Sequence, residues 1–197
     1  MPKTFSDRER EYIRDKLKSE SRLLFSQYGV KKTTVDEIVK RVKIPKGTFY
    51  LFYESKELLL FDIIMEEQAA IQGELINAVA GLGGKITKER FSALIYALFK
   101  RATESFLFPV FTNGEYELIF RKLPPEALAR NIKEDNKSIE KLFSLIPQAK
   151  GKDMSVYGGA IRGITLLALH KDEIGELIFD DALKLLIDGL TEKLFEV

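Results

Sequence analysis

Apolar residues recur at intervals of three and four along most of the chain, and no segment sustains an alternation of period two. The first pattern is typical of amphipathic α-helices, and the absence of the second argues against a β-sheet. The residues that break helices fall between these segments; they are Pro109, Gly114, Pro124, Pro125, Pro147 and Gly151. The pattern therefore predicts an all-α fold of about nine helices.

The balance of residue types is that of a folded globular protein, since 45% of the 197 residues are hydrophobic and 31% are charged. The longest stretches without a charged residue, 75–84 and 105–114, fall well short of the roughly 20 apolar residues that cross a bilayer. Charges also occupy the N-terminal positions where a secretory signal would be apolar. We expect a cytoplasmic protein with no membrane contact.

Residue types that carry catalysis or bind metals are scarce. Cysteine is absent and His170 is the single histidine, which excludes disulfides, thiolate metal sites and most histidine-based catalysis. No nucleophile is paired with a base, and no glycine-rich segment has the context of a phosphate-binding loop. The sequence therefore predicts no catalytic residue, no metal site and no cofactor, and the chain is not expected to be an enzyme.

Charge is divided unevenly along the chain. Residues 1–56 hold 14 Lys or Arg against 8 Asp or Glu, a net charge of +6, whereas the remainder carries −5. The formal net charge of +1 hides this division. A basic end on an otherwise acidic chain predicts that any nucleic acid binds within this first segment.

Three helices are predicted within the basic end. Capping boxes, Ser6 with Glu9 and Thr34 with Glu37, mark the starts of the first and second helices. Pro45 suits the first turn of a third helix, because its missing N–H has no partner there anyway. A second and a third helix joined by a short turn have the outline of a helix-turn-helix unit.

The first of these helices is expected to end at Gly29, and Ser55 begins a fourth that runs to about Val79. Periodicity predicts further helices near 88–107, 113–121, 125–146, 153–171 and 173–196. The fourth helix is apolar on more than one face, so we expect it to contact both halves of the molecule.

In the third helix, the polar residues Lys46, Thr48 and Tyr50 alternate with aromatic residues that can anchor it, Phe49, Phe52 and Tyr53. Anchors on one side leave the polar residues on the other, where a short helix can approach a duplex closely. On this pattern alone, the same face could also be an ordinary solvated one.

Four strings in this region together carry a resemblance: Leu24-Phe25-x-x-x-Gly29, Thr34-Val35-x-x-Ile38, Ile44-Pro45-Lys46-Gly47-Thr48-Phe49-Tyr50 and Ser55-Lys56-Glu57-Leu58-Leu59. Over roughly residues 17–59 the sequence resembles the TetR family of bacterial transcriptional repressors. The resemblance implies a helix-turn-helix DNA-binding domain at 1–55, with the motif itself at about 33–52. It also implies a helical ligand-binding and dimerisation domain at 56–197.

The resemblance further implies a homodimer that binds a pseudo-palindromic operator in double-stranded DNA. The residues that it places on the DNA are Thr33, Thr34, Lys46, Gly47, Thr48, Tyr50, Leu51 and Lys56. In physical terms, Lys46 and Lys56 supply charge for phosphates, and Thr48 can touch a base edge or a thymine methyl.

Four residues depart from the pattern of that family. Lys43 stands where a glycine is usual, which predicts a non-glycine residue with positive φ in the turn. Pro45 replaces a common capping serine, and Leu51 replaces a common histidine. Glu54 places a negative charge near the phosphates. These departures predict an unusual affinity or operator sequence.

Aromatic residues are abundant beyond the basic end, and they are either core residues or the lining of a ligand cavity. The candidates for the lining are Tyr96, Phe99, Phe106, Phe108, Phe111, Phe120 and Phe143. Few uncharged polar residues accompany them, so a small-molecule inducer, whose identity the sequence leaves open, is expected to be largely apolar.

The last two helices carry more apolar surface than is needed to pack along one side against the rest of the chain. In the TetR family, which the sequence resembles, such helices pack against their symmetry mates as a four-helix bundle. The candidates for this dimer interface are Gly159, Gly163, Ile178, Leu185, Leu186 and Leu190.

The sequence thus predicts a homodimeric, sequence-specific transcriptional regulator, a repressor that a small ligand releases from its operator. One alternative is a helical ligand-binding protein or small enzyme with a vestigial helix-turn-helix. Another is a dimer that binds nucleic acid or a partner without reading sequence.

Overall fold

The computed structural model describes residues 5–112, 119–167 and 170–196, and within these ranges it contains helices and no strand. The all-α prediction is therefore confirmed. The helices of the described part, with one short 3-10 helix at Pro147–Ala149, are α1 Asp7–Lys32, α2 Val35–Val42, α3 Lys46–Tyr50, α4 Lys56–Gly81, α5 Lys88–Glu104, α6 Leu107–Thr112, α7 Pro125–Ser144, α8 Met154–Leu167, α9 Lys171–Ile174 and α10 Phe179–Phe195.

The chain packs as two compact units. The N-terminal unit comprises Met1–Glu67 and Pro109–Leu123, and the C-terminal unit comprises Gln68–Phe108 and Pro124–Val197. The boundary between them falls inside α4, and a segment distant in sequence joins the N-terminal unit. The functional division at residues 55 and 56 remains a prediction, since packing and function need not divide a chain at the same residue.

Both predicted capping boxes are present. The backbone N–H of Ser6 donates to Glu9 Oε2 at 2.9 Å, and the N–H of Glu9 donates to Ser6 Oγ at 3.3 Å. At the start of α2 the same pair of bonds joins Thr34 and Glu37, at 2.8 and 3.2 Å. These bonds satisfy N–H groups that have no partner inside their helices, which fixes where α1 and α2 begin.

Of two predictions about the local backbone, the end of α1 at Gly29 is confirmed only in part, whereas the positive φ of Lys43 is confirmed. Gly29 takes φ 77° and interrupts the helical geometry of α1, although helical hydrogen bonding resumes as far as Lys32. Lys43 takes φ 62° and ψ 46° in the turn after α2, as its position in place of a glycine predicts. The turn closes with the N–H of Ile44 donating to the carbonyl of Val39 at 3.1 Å.

The core of the N-terminal unit holds α3 in place. Phe49 and Ile38 are completely buried, and Leu17 of α1 is buried with the same exposure of 0%. Helix α3 has only five residues, so its own hydrogen bonds cannot stabilise it in water. Its position therefore depends on the burial of Phe49.

A polar network joins α1 to α4 inside the same unit. Lys18 forms ion pairs with Asp62, at 2.8 Å, and with Glu66, while Arg22 reaches Glu66 at 2.8 Å. The hydroxyl of Tyr53 donates to Asp62 at 2.7 Å. Burial alone would raise the pKa of Asp62, but hydrogen bonds from Lys18 and Tyr53 outweigh it and hold that pKa below its usual value.

The segment that joins the N-terminal unit from a distance packs on the first half of α4. The ring of Phe120 meets the ring of Phe61 edge to face, with centroids 6.2 Å apart. The ammonium of Lys122 lies 2.7 Å from the buried carboxylate of Glu57. Burial works to raise the pKa of Glu57, and the bond from Lys122 lowers it below its usual value.

The C-terminal unit has one apolar core. Its fully or nearly buried side chains are Ile76, Val79, Ile86, Phe91, Ile95, Phe99, Ile139, Leu142, Phe143, Ile146, Ala149, Ile164, Phe179, Leu183, Ile187 and Leu194. Helices α5 and α10 are also joined by polar contacts, since Lys88 meets Glu192 at 2.6 Å and Lys100 meets Asp180 at 2.9 Å.

Two of the predicted helices differ from the observed ones, and a third falls mostly on residues that the structure does not describe. The helix expected at 88–107 ends at Glu104, and the one expected at 173–196 is divided into α9 and α10 by Gly175, which takes φ 109°. Positive φ cannot continue a helix, and this accounts for the break. Most of the helix expected at 113–121 lies outside the described residues.

The turn conformation of Lys43 predicts a stabilising substitution. A non-glycine residue pays roughly 1–2 kcal/mol for left-handed geometry, and glycine loses part of that gain to chain entropy. We expect Lys43→Gly to raise the free energy of unfolding by about 0.5–1 kcal/mol in urea titrations. The control is Lys40→Gly inside α2, which should lower it by about 1 kcal/mol. A destabilised Lys43→Gly protein would contradict the account of this turn.

The network around Asp62 predicts a pH dependence. Because its pKa is lower in the folded protein, its contribution is present above the unfolded value of about 3.9 and is lost as the pH falls through the folded value. We expect Asp62→Asn to lower stability by about 1 kcal/mol at neutral pH, a value limited by the partial exposure of the carboxylate. Chemical unfolding between pH 6 and 3 should show a shallower acid loss in this variant than in the exposed-acid control Asp15→Asn. If the two variants lost equal stability as the pH falls, this account of the network would be contradicted.

Candidate nucleic-acid interface

Helix α3 turns a mixed polar and apolar face outward from its buried anchor. Phe49 is fully buried, whereas Tyr50 is 51% exposed and Leu51, directly after the helix, is 57% exposed. Lys46 is exposed and Thr48 is half-buried. The predicted base-reading residues therefore share the outward side of α3.

Gly47 lies on the same helix with open space beside it. A Cβ atom built there meets no heavy atom within 4 Å, and its backbone has ordinary negative φ. Neither packing nor backbone geometry within the described chain thus requires a glycine at this position. The missing side chain does, however, leave a surface that another molecule can approach closely.

The two threonines at the start of α2 lie in different surroundings. Thr33 is only 1% exposed, and its hydroxyl donates to the carbonyl of Gly29 at 2.8 Å. Thr34 is exposed, and its hydroxyl donates to Glu37 at 2.9 Å within the capping box. Of this predicted pair, Thr34 therefore presents its side chain to solvent, whereas the Thr33 hydroxyl is occupied by the end of α1.

Lys56, at the first position of α4, is directed toward the protein backbone. Its ammonium donates to the carbonyl of Val30 at 2.5 Å and to that of Thr33 at 2.6 Å. The resemblance to the TetR family had implied that this ammonium contacts a DNA phosphate. In this structure Lys56 ties the end of α1 to the start of α4, and its positive charge lies beside the α1–α2 junction.

One further residue belongs to this surface and was missed by sequence reasoning. The carboxylate of Asp36, on α2, accepts a hydrogen bond from the ammonium of Lys46 at 2.9 Å, and this bond raises the pKa of Lys46. The two residues lie on different helices across a turn, so helical periodicity gives no signal for the contact. We define the reading face as Lys46, Thr48, Tyr50, Leu51 and Asp36.

The aromatic candidates for a ligand site divide between the two units. Phe99 and Phe143 are buried in the core of the C-terminal unit, and Tyr96 and Phe108 pack against that core. Phe106 is half-buried. The other two do not join this group: Phe120 packs on Phe61 in the N-terminal unit, and the side chain of Phe111 lies outside the described residues.

Sequence reasoning underestimated the polar content of the C-terminal unit. The carboxylate of Asp135, 7% exposed, accepts from Gln68 at 3.1 Å, Gln72 at 2.6 Å and Arg162 at 2.8 Å. Three helices thus converge on one buried charge. These groups satisfy one another, and no spacing within a single helix would have indicated their meeting.

Most candidates for a dimer interface are exposed. Leu185 is 73% exposed, Ile178 58% and Leu186 45%, and the two glycines at 159 and 163 are exposed as well. Leu190 is the exception, because it packs partly against the core of its own unit. Leu177, in the same apolar stripe of the sequence, is 97% exposed, and sequence reasoning had not included two further exposed apolar residues of α8, Val156 and Leu166.

The described residues offer little chemistry beyond this surface. They contain no group of three or more His, Cys, Asp or Glu that could hold a metal ion. His170 is exposed, with Nδ1 3.5 Å from the carboxylate of Glu173. No helix within these ranges combines the length and apolar character that a membrane span needs.

The part of the chain that holds this surface is similar in sequence to known regulatory proteins. The family model described as bacterial regulatory proteins, tetR family, matches residues 19–63, which include α2, α3 and the start of α4. A stretch of 41 residues is 49% identical to the uncharacterized HTH-type transcriptional regulator YuxN of Bacillus subtilis. That stretch covers 21% of this chain and only 14% of the length of YuxN.

Solved structures extend the similarity to the whole fold. FadR of Thermus thermophilus, a TetR-family repressor crystallised with lauroyl-CoA, has a TM-score of 0.63 at 21% identity over 93% of both chains. RolR, crystallised with resorcinol, has a TM-score of 0.57 at 19% identity over 94% of this chain and 96% of that one. Identities this low establish the fold alone. The chain is thus similar to bacterial regulatory proteins of the tetR family in the sequence of residues 19–63, and to TetR-family structures in its fold.

Proposed function

We propose that the chain is a homodimeric, sequence-specific DNA-binding regulator, and that it acts as a repressor released from its operator by a small molecule. The observation that carries the proposal is the outward side of α3, where Lys46 and Tyr50 flank the open surface at Gly47. A short helix with this combination fits the major groove, which admits an α-helix and presents a distinct edge for each base pair.

Base reading and phosphate binding fall to different groups. Thr48 and Tyr50 can reach base edges, whereas Thr34 and the exposed Lys31 and Lys32 lie near the start of α2, where they can meet phosphates. Contacts with phosphates position the protein without carrying sequence information, so specificity depends on the few side chains of α3.

Dimerisation is supported by the apolar side chains that α8 and α10 leave exposed. Leu185 and Leu186 alone are 73% and 45% exposed, and covering such residues removes apolar surface from water. A two-fold dimer would place its two α3 helices on half-sites about 34–36 Å apart, which is one turn of B-DNA. The operator is then a pseudo-palindrome.

The ligand-responsive part of the proposal rests on how the chain passes between units. Helix α4 begins in the N-terminal unit and ends in the C-terminal unit, and Pro109–Leu123 returns from the second to the first. FadR and RolR hold lauroyl-CoA and resorcinol, ligands with an acyl chain and an aromatic ring. A largely apolar inducer near Tyr96, Phe99 and Phe143 fits this proposal. Release of the operator by a hundredfold loss of affinity needs about 2.7 kcal/mol of coupling.

Selection from random duplexes at about 0.15 M salt tests the DNA-binding proposal, because sequence-specific proteins commonly prefer their sites by a factor of at least about 10³. We expect enrichment of one pseudo-palindrome, and we expect Thr48→Ala to weaken binding to it more than binding to a scrambled duplex. If a folded dimer enriches nothing, a helical ligand-binding protein with a vestigial helix-turn-helix becomes the better account.

Light scattering on a sizing column tests the dimer. We expect twice the 22.5 kDa chain mass for the wild-type protein and a shift toward a single chain for Leu185→Glu, because a buried unpaired carboxylate is costly at an apolar interface. Leu23→Glu is the matched control, since Leu23 is an exposed leucine of α1 with 52% exposure, and it should leave the mass unchanged. A Leu185→Glu protein that stays dimeric would place the interface elsewhere.

A further inference from the structure

The ion pair between Lys46 and Asp36 is the feature of the reading face that the proposed function leaves unexplained. Lys46 is the first residue of α3 and Asp36 the second of α2, and their charged groups are 2.9 Å apart. Both side chains face solvent, with exposures of 51% and 70%. A donor and an acceptor are thus held side by side on the surface proposed to enter the major groove.

The fold has little need of this pair. Exposed ion pairs commonly contribute between nothing and about 1 kcal/mol to stability. The N-terminus of α2 is already capped by Thr34 and Glu37, so the carboxylate of Asp36 is not required there. An acid in this place also repels phosphates and lowers bulk affinity for DNA. Its place in the first turn of α2 favours the helix dipole only modestly, which leaves room for a second role of the pair at this surface.

The chemistry of the pair matches one base-pair edge. In the major groove, guanine presents its N7 and O6 acceptors, and the paired cytosine presents its N4 amino donor beside them. Guanine O6 and cytosine N4 are hydrogen-bonded to each other, so they lie about 2.9 Å apart. The ammonium of Lys46 and the carboxylate of Asp36 have the same spacing with the opposite polarity. Lysine commonly binds guanine, and aspartate commonly accepts from cytosine N4.

We propose that Asp36 determines specificity together with Lys46, and that the pair reads one G·C base pair in each half-site. Lys46 donates to guanine and Asp36 accepts from the cytosine amino group. The inference rests on the proposed function, because it requires α3 to face DNA. It also gives the acid on a basic surface a role: the carboxylate keeps the neighbouring ammonium from binding any phosphate and favours an edge that offers an acceptor beside a donor.

The test compares the binding motifs of variants by selection from random duplexes. We expect the wild-type motif to contain a G·C pair at one fixed position in each half-site. Asp36→Ala should lower the preference at that position by about tenfold and leave the others unchanged, while binding to a scrambled duplex becomes tighter. Glu54→Gln is the matched control, since it also removes one exposed negative charge of the N-terminal unit, and it should change bulk affinity without changing the motif.

A double-mutant cycle on the selected duplex separates a pair from two independent contacts. Lys46→Ala and Asp36→Ala should each relax the same position, and the double variant should relax it no further. Circular dichroism and melting of each variant serve as the folding control. If the wild-type protein selects a pseudo-palindrome and Asp36→Ala selects the same motif, this inference is wrong and the proposed function stands. If the wild-type protein selects nothing, both fail.

Discussion

Burial of the Phe49 ring is the interaction on which the rest of the DNA-facing surface depends. Helix α3 has five residues, and a helix this short is not stable in water by its own hydrogen bonds. The ring is fully buried, and its edge-to-face contact with Tyr50 has a centroid distance of 5.3 Å. Because Phe49 fixes the side of α3 that packs on the core, the neighbouring side chains of Tyr50 and Leu51 face solvent.

Several positively charged side chains of the N-terminal unit bind groups within the same unit and thereby stabilise its fold. Lys56 binds two backbone carbonyls, and Lys18 binds Asp62 and Glu66. A net charge of +6 over residues 1–56 therefore overstates the positive charge available to DNA. Fewer free positive charges reduce the attraction to any polyanion, which is consistent with the proposed reading of sequence by α3.

Much of this fold could be predicted from local sequence. Capping boxes, the turn at Lys43 and the anchor Phe49 are determined by residues within a few positions of one another, and each is present in the structure. Contacts between distant residues gave no such signal. The pairing of Asp36 with Lys46, the buried hydroxyl of Thr33 and the convergence of three helices on Asp135 all depend on tertiary packing. None of these tertiary contacts produces a periodic pattern in the sequence from which it could be predicted.

The measurement that bears most directly on the account is the salt dependence of affinity for two duplexes, the selected pseudo-palindrome and a scrambled version of it. Each phosphate contact contributes about −0.9 to the slope of log affinity against log salt on either duplex. The account predicts two steep lines separated by a factor of at least about 10³ at every salt concentration. Lines that coincide would show a protein that binds the backbone without reading the bases, and they would contradict the role assigned to α3.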